Sequence, residues 1–169
     1  MADWRKRLSN FWRSEISVDG KRYPSVEHAF HAAKAKCSNK PELANEFEIG
    51  GMVGADPAAA KKAGGRAAFK KSGASLDLAK WDAERDTETL KALRARLDSD
   101  QGFRSILQAT AQRDLHLLHF ERQGRKSYWG GCIDQATGEA VGANRLGEML
   151  MELRKEAVVE PDAKRQKSA

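Results

Sequence analysis

Glu27, His31 and Lys34 stand at positions i, i+4 and i+7 of the segment YPSVEHAFHAAKAK, residues 23–36. On a helix this spacing brings a carboxylate, an imidazole and an amine to one face. The first two can pass protons at neutral pH, and a lysine held uncharged can add to an electrophilic carbon. A solvated helix face has the same appearance, held by weak i,i+4 pairing. Seven residues span about 10 Å of axis, so Glu27 and Lys34 would flank a ligand rather than touch each other.

The elements that must position this row are legible around it. Ser25 is a helix cap, Glu27 suits the positive helix end, and Val26, Ala29, Phe30, Ala33 and Cys37 form an apolar stripe. Upstream, Asp19-Gly20 between Ile16/Val18 and Arg22/Tyr23 predicts a type I′ hairpin, ended by Pro24. Downstream, Ser38 or Asn39 caps a second helix, with Pro41 in its first turn and its end near Glu48. Asp56-Pro57 opens a third helix that stops near Gly64-Gly65; this glycine pair and Gly50-Gly51 match no phosphate-loop spacing and read as helix stops. Helices follow from about Asp77 to Leu97, and from a cap at Ser99 or Asp100 through Phe103, Ile106 and Leu107. Leu115–Phe120 alternates as a strand would, Gln123-Gly124 is a turn, and the last helix runs from about Asn144 to Glu156. The expected fold is mainly α, a compact helical domain with a small β hairpin. It occupies residues 1–157, and residues 158–169 form a basic tail too polar to fold.

Of the 169 residues, 40% are hydrophobic and 32% charged, enough apolar material for one core. No apolar run approaches the roughly 20 residues of a membrane span, and MADWRKRLSNFW lacks the apolar core of a secretory signal. Cys37 and Cys132 are far apart, with no metal-ligand spacing, and read as reduced thiols of an intracellular, cytoplasmic protein. The tail's KRQK leaves a nuclear location open. A net charge of +6 permits an anionic partner without identifying one.

Four stretches together resemble the NADAR, or YbiA-like, family. They are LSNF (Leu8–Phe11), DG-x-x-YPSVEH-x5-K (Asp19–Lys34), YWG (Tyr128–Gly130) and GANRLGEMLMELR (Gly142–Arg154). Their order and spacing fit from Leu8 to about Arg154. The resemblance implies a compact, mostly helical fold, no cofactor, and N-glycosidase activity. Some members act on ribosylamine intermediates of riboflavin biosynthesis, and others remove ADP-ribose from guanine. Both substrates attach ribose C1′ to an exocyclic amine, which can open to an imine. The family's glutamate then corresponds to Glu27, as general acid/base, and its lysine to Lys34, as the covalent amine. A competing route keeps Glu27 and activates water directly.

The same resemblance suggests the substrate contacts. Trp129 would stack on the base or cover the sugar, with a core Trp129 as the alternative, and Gly130 would let the ligand approach the backbone. Asn10 would hold a ribose hydroxyl and Phe11 stack on a ring, unless both serve capping and packing. The family pattern gives His31 no specific role, but its place on the Glu27 face could turn it to the ligand, while His28 reads as structural. Asn144 and Arg145 open the last helix, where free N–H groups suit a phosphate; the alternative is a capping Asn144 and an ion-paired Arg145. Two departures stand out. Lys126 replaces an aspartate three residues before the tryptophan, and Trp129-Gly130-Gly131-Cys132 replaces a W-G-x-G pattern. Glu121 or Asp134 could act as auxiliary acid in place of the missing carboxylate. Lys126 favours a diphosphate or nucleic-acid ligand. The expected substrate is therefore ADP-ribosylated guanine, followed by a ribosylaminouracil phosphate. A non-catalytic reader of ADP-ribose or nucleic acid is the third reading.

Overall fold

A computed structural model describes residues 3–158. The chain divides into two compact units, with the boundary between Phe103 and Arg104. It is mainly helical, with the small hairpin that the sequence predicts and a second short antiparallel strand pair.

In the first unit, α1 (Trp4–Leu8) precedes the hairpin of β1 (Ile16–Val18) and β2 (Lys21–Tyr23), in which Ile16 pairs with Tyr23. Asp19 and Gly20 both take positive φ, 50° and 76°, as a type I′ turn requires. Helix α2 (Val26–Lys36) follows, and Ser25 caps it by accepting from the His28 N–H. Next come a 3₁₀ helix (Pro41–Phe47), α3 (Pro57–Ala63), α4 (Arg66–Ser72) and α5 (Leu78–Ser99). Asp56 and Asp77 cap α3 and α5 through their side chains.

Helix α2 is the centre of this unit and packs against the 3₁₀ helix, α3 and α5. Val26, Ala32 and Ala35 are wholly buried, and Phe30 meets Trp81 of α5 edge-on at 5.1 Å. An ordinary surface helix hides one stripe; here the Glu27–His31 row is buried as well. A second tie comes from Arg96, buried to 0% exposure on α5. Its guanidinium donates to Ser9 O at 2.9 Å, pairs with Asp100 at 3.3 Å and lies 4.2 Å over the Phe103 ring. Burial lowers its pKa to about 10. This fixes the LSNF segment, whose Asn10 carbonyl accepts from the Glu27 N–H at 3.1 Å.

Helix α6 (Gln101–Gln112) crosses the boundary, started by Asp100, which accepts from the Phe103 N–H at 3.0 Å. The second unit continues with a 3₁₀ turn (Gly124–Lys126), the pair β3 (Cys132–Ile133) and β4 (Ala140–Val141), and α7 (Arg145–Val158). Leu107, Met149, Leu153 and Ala157 are fully buried there, and Gln108 Nε2 donates to Ala157 O at 2.8 Å.

Several expectations change. The second helix is 3₁₀, begins after Lys40 and ends at Phe47. Leu115–Phe120 forms no strand: of its residues, Phe120 alone makes a bridge, to Gly131. The His119 N–H and the Leu117 carbonyl bond the Asn144 side chain, the Leu117 N–H meets the Met151 sulfur, and the His119 carbonyl accepts from the Gly131 N–H at 2.9 Å. Helices α1 and α4 and the pair β3–β4 are additional elements, each too short to show a periodic pattern. The last helix extends to Val158; the rest of the tail, with KRQK, lies outside the described residues. No described helix is long and apolar enough to cross a membrane.

Candidate active site

The candidate catalytic groups lie on α2. Glu27 and His31 are only 8% and 5% exposed, so their row is no solvated face. The i,i+4 spacing puts His31 Nε2 3.1 Å from Glu27 Oε1. The imidazole is wedged between the edge-on ring of Phe30 at 5.0 Å and the stacked ring of Phe47 at 6.0 Å. His31 therefore faces Glu27 and the rings of Phe30 and Phe47, as a partner of the carboxylate. His28, one step round the helix, is structural as expected, with Ser25 Oγ at 2.8 Å and Gly54 O at 3.0 Å.

Lys34 reaches the end of α3. Its amine donates to Gly64 O at 3.0 Å and sits 5.5 Å from the centroid of the Phe69 ring on α4. Burial holds its pKa below the ordinary lysine range, because removing water penalises the charged form. No carboxylate pairs with this amine among the described residues. A lysine in such surroundings is easier to deprotonate, the condition for acting as a nucleophile.

Asn10 is joined to the site through its backbone bond to Glu27, and its buried Oδ1 has no partner among the described residues. Phe11 is 37% exposed, with Lys61 Nζ 5.5 Å from its ring centroid. Glu27, His31, Lys34 and Asn10 thus form one group in the first unit.

Trp129, Gly130, Asn144, Arg145, Glu121 and Asp134 belong to the second unit. Trp129 is half-buried and meets Tyr128 edge-on at 5.1 Å. The carbonyls of Tyr128, Trp129 and Gly130 accept from the N–H groups of Arg145, Leu146 and Asn144 at 3.2, 3.1 and 2.9 Å. The N–H groups expected to greet a phosphate are occupied by this segment. It also explains why YWG and NRLG occur together: one caps the other.

Asn144 is 7% exposed and has a positive φ of 48°. Its side-chain oxygen accepts from His119 N and its amide donates to Leu117 O, both at 2.9 Å. Arg145 pairs with Glu148 at 3.1 Å and Glu152 at 3.5 Å. Both residues therefore fit the capping and ion-pair alternative. Gly130 does not expose backbone to a ligand either, since a Cβ there would lie 2.7 Å from Glu121 Cγ. Glu121 Oε1 is 3.5 Å from His119 Nε2. Asp134 pairs with Arg125 and accepts from the N–H groups of Ala136 and Thr137, which hold its pKa below the carboxylate norm. These bonds commit it to its turn.

The first unit is thus centred on a buried helix that carries an acid, an imidazole and a desolvated amine in one row, within a small, mainly α-helical chain. The NADAR domain family matches residues 2–157, and the chain belongs to that family. It is 31% identical over 157 residues to N-glycosidase YbiA of Escherichia coli K12, covering 90% of this chain and 82% of the relative. The same protein of Shigella boydii is 32% identical over 154 residues, with the same coverage. The NMR structure of E. coli YbiA superposes with a TM-score of 0.66 at 28% identity, covering 99% of this chain and 84% of that one. The activity class is therefore glycosidase, a hydrolase.

Proposed function

We propose that this enzyme cleaves ribose C1′ from an exocyclic amine, and that its substrate is ADP-ribosylated guanine, as nucleotide or in nucleic acid. The observation that carries the reading is Lys34, an amine with lowered pKa that no carboxylate neutralises among the described residues, two turns from a buried carboxylate. Direct attack by water needs a carboxylate but has no use for such an amine. The orphaned Asn10 Oδ1 beside Glu27 supplies an acceptor for a sugar hydroxyl. Lys126 in place of a carboxylate favours the diphosphate-bearing substrate over the ribosylaminouracil phosphate.

In this scheme Glu27 takes the proton of the exocyclic nitrogen and delivers it to the ring oxygen as the C1′–O4′ bond breaks. The product is an open-chain imine. Neutral Lys34 adds to C1′, both of its amine protons pass in turn to the departing nitrogen, and the C1′–base bond breaks. A lysine imine remains. Water adds to it, and release of the Lys34 amine leaves the sugar as an aldehyde that recloses.

The test is incubation with ADP-ribosylated guanosine and, separately, with the ribosylaminouracil phosphate, resolving products by chromatography. Release of unmodified guanosine and free ADP-ribose is expected. Turnover of the aminouracil substrate alone would move the assignment to the smaller ligand. Binding of ADP-ribosylated guanosine without turnover of either compound would make the protein a reader.

A further inference from the structure

Gly64 ends α3, thirty-three residues beyond His31, yet it touches both halves of the site. Its carbonyl holds the Lys34 amine at 3.0 Å. Its Cα lies against the imidazole of His31. A Cβ built there would overlap His31 at Nδ1 and Cγ and stand 2.8 Å from its Cβ, closer than side-chain carbons come. The backbone does not itself demand glycine, because φ is −83° and ψ is 3°, which any residue can adopt. What demands glycine is the ring.

The ring has no alternative place. Phe30 and Phe47 hold it on two further sides, and Nε2 is directed at Glu27 Oε1. Its buried Nδ1 has no hydrogen-bond partner among the described residues. A proton on Nδ1 would be a buried donor facing the Gly64 Cα, whereas a bare lone pair there loses far less. The bonding pattern therefore selects the tautomer with the proton on Nε2, which donates to Glu27 and fixes one carboxylate oxygen. The second oxygen is left to serve the substrate.

We propose that Gly64 and His31 are the positioning pair of this site: the Gly64 carbonyl aims Lys34, and its missing side chain admits the imidazole that aims Glu27. The proposal rests on the assignment of Glu27 and Lys34 to the reaction. Misplacement of a reacting group by about 1 Å can cost on the order of 100-fold in rate. Gly64→Ala should therefore lower kcat by roughly 10- to 100-fold, with KM for ADP-ribosylated guanosine changed little.

The test is a double-mutant cycle of Gly64→Ala and His31→Ala, with His31→Gln as the conservative control. Glutamine can place an N–H where Nε2 stood, so it should retain more kcat than His31→Ala. Once the imidazole is gone the added methyl has room, and the double variant should be no slower than His31→Ala alone. Losses that multiply, or a Gly64→Ala enzyme with wild-type kcat, would overturn the proposal. If Gly64→Ala fails to fold, the double variant should fold; a double variant equally unfolded would also overturn it. A second readout needs no turnover: long-range proton–nitrogen NMR should show His31 protonated at Nε2 in the wild type and altered in Gly64→Ala. A protonated Nδ1 in the wild type would refute the positioning role. Absence of turnover by the wild type, with the His31 spectrum as expected, would instead refute the reading of Glu27 and Lys34.

Discussion

Replacing Glu27 by glutamine removes an ionisable oxygen and leaves an accepting one, so its effects on folding and on catalysis can be separated. The amide oxygen of the introduced glutamine can still accept from His31 Nε2 across the 3.1 Å now spanned by Glu27 Oε1. A hydrogen bond to a charged group contributes about 1.5–3 kcal/mol and a neutral one about 1 kcal/mol, so the variant loses roughly 0.5–2 kcal/mol. Each kcal/mol shifts Tm by about 2–4 °C at this length, giving a fall of about 1–8 °C. Against a total stability of about 5–15 kcal/mol, the variant remains more than about 99% folded. Proton transfer by a placed side chain contributes about 10²–10⁴-fold, and turnover should fall by that factor. Glu27→Ala would cost a further 1–3 kcal/mol or so, because it strands the His31 N–H. Chromatographic rates for both variants, with thermal melts on the same samples, decide the matter. A Glu27→Gln enzyme that melts as expected and keeps turnover within about tenfold of wild type would refute the general acid/base role.

Borohydride added during turnover should fix the sugar on Lys34 through its imine, and mass mapping should place the adduct there and not on Lys36; no adduct would leave direct attack by water. Turnover should rise with pH through the pKa of Lys34, which burial holds below the ordinary lysine range, and a pH–rate profile lacking that limb would contradict the amine's role. Between that lowered value and the unfolded one the unfolded chain binds more protons, so Lys34 makes stability increase with pH there, and Lys34→Met should flatten that part of a Tm-versus-pH curve. If Trp129 stacks on the base or sugar, Trp129→Ala should weaken ligand binding by about 1–3 kcal/mol in calorimetry, while unchanged affinity would leave it a packing residue beside Tyr128. Asn144→Ala should destabilise the protein by about 2–5 kcal/mol in urea unfolding, since it strands the His119 N–H and the Leu117 carbonyl and puts alanine at positive φ; a loss under about 1 kcal/mol would refute the structural role of these two bonds.

Local chemistry made much of the frame legible without a structure. Asp19-Gly20 can hardly do other than turn with positive φ, and Ser25, Asp56, Asp77 and Asp100 start helices because each oxygen reaches an N–H two or three residues on. The Glu27–His31–Lys34 row follows in the same way from 3.6 residues per turn. Whether that row met water or protein depended on Phe47, Gly64 and Phe69, which reach it from elements far along the chain. No periodicity records such an encounter, so Gly64 reads as a helix stop although its contact is with His31. Leu115–Phe120 shows the converse: its alternation suits a strand, but the Asn144 side chain takes the His119 N–H and the Leu117 carbonyl, and the pairing stops at the single bridge from Phe120 to Gly131. Arg96 likewise reads as one more charged residue on a long helix until Ser9 and Asp100 close over it. The sequence determined which elements form and which groups share a face, because those depend on neighbours within a turn or two. Tertiary structure alone decided which of those groups lost water and which acquired partners, because burial is a property of surfaces brought together from distant parts of the chain.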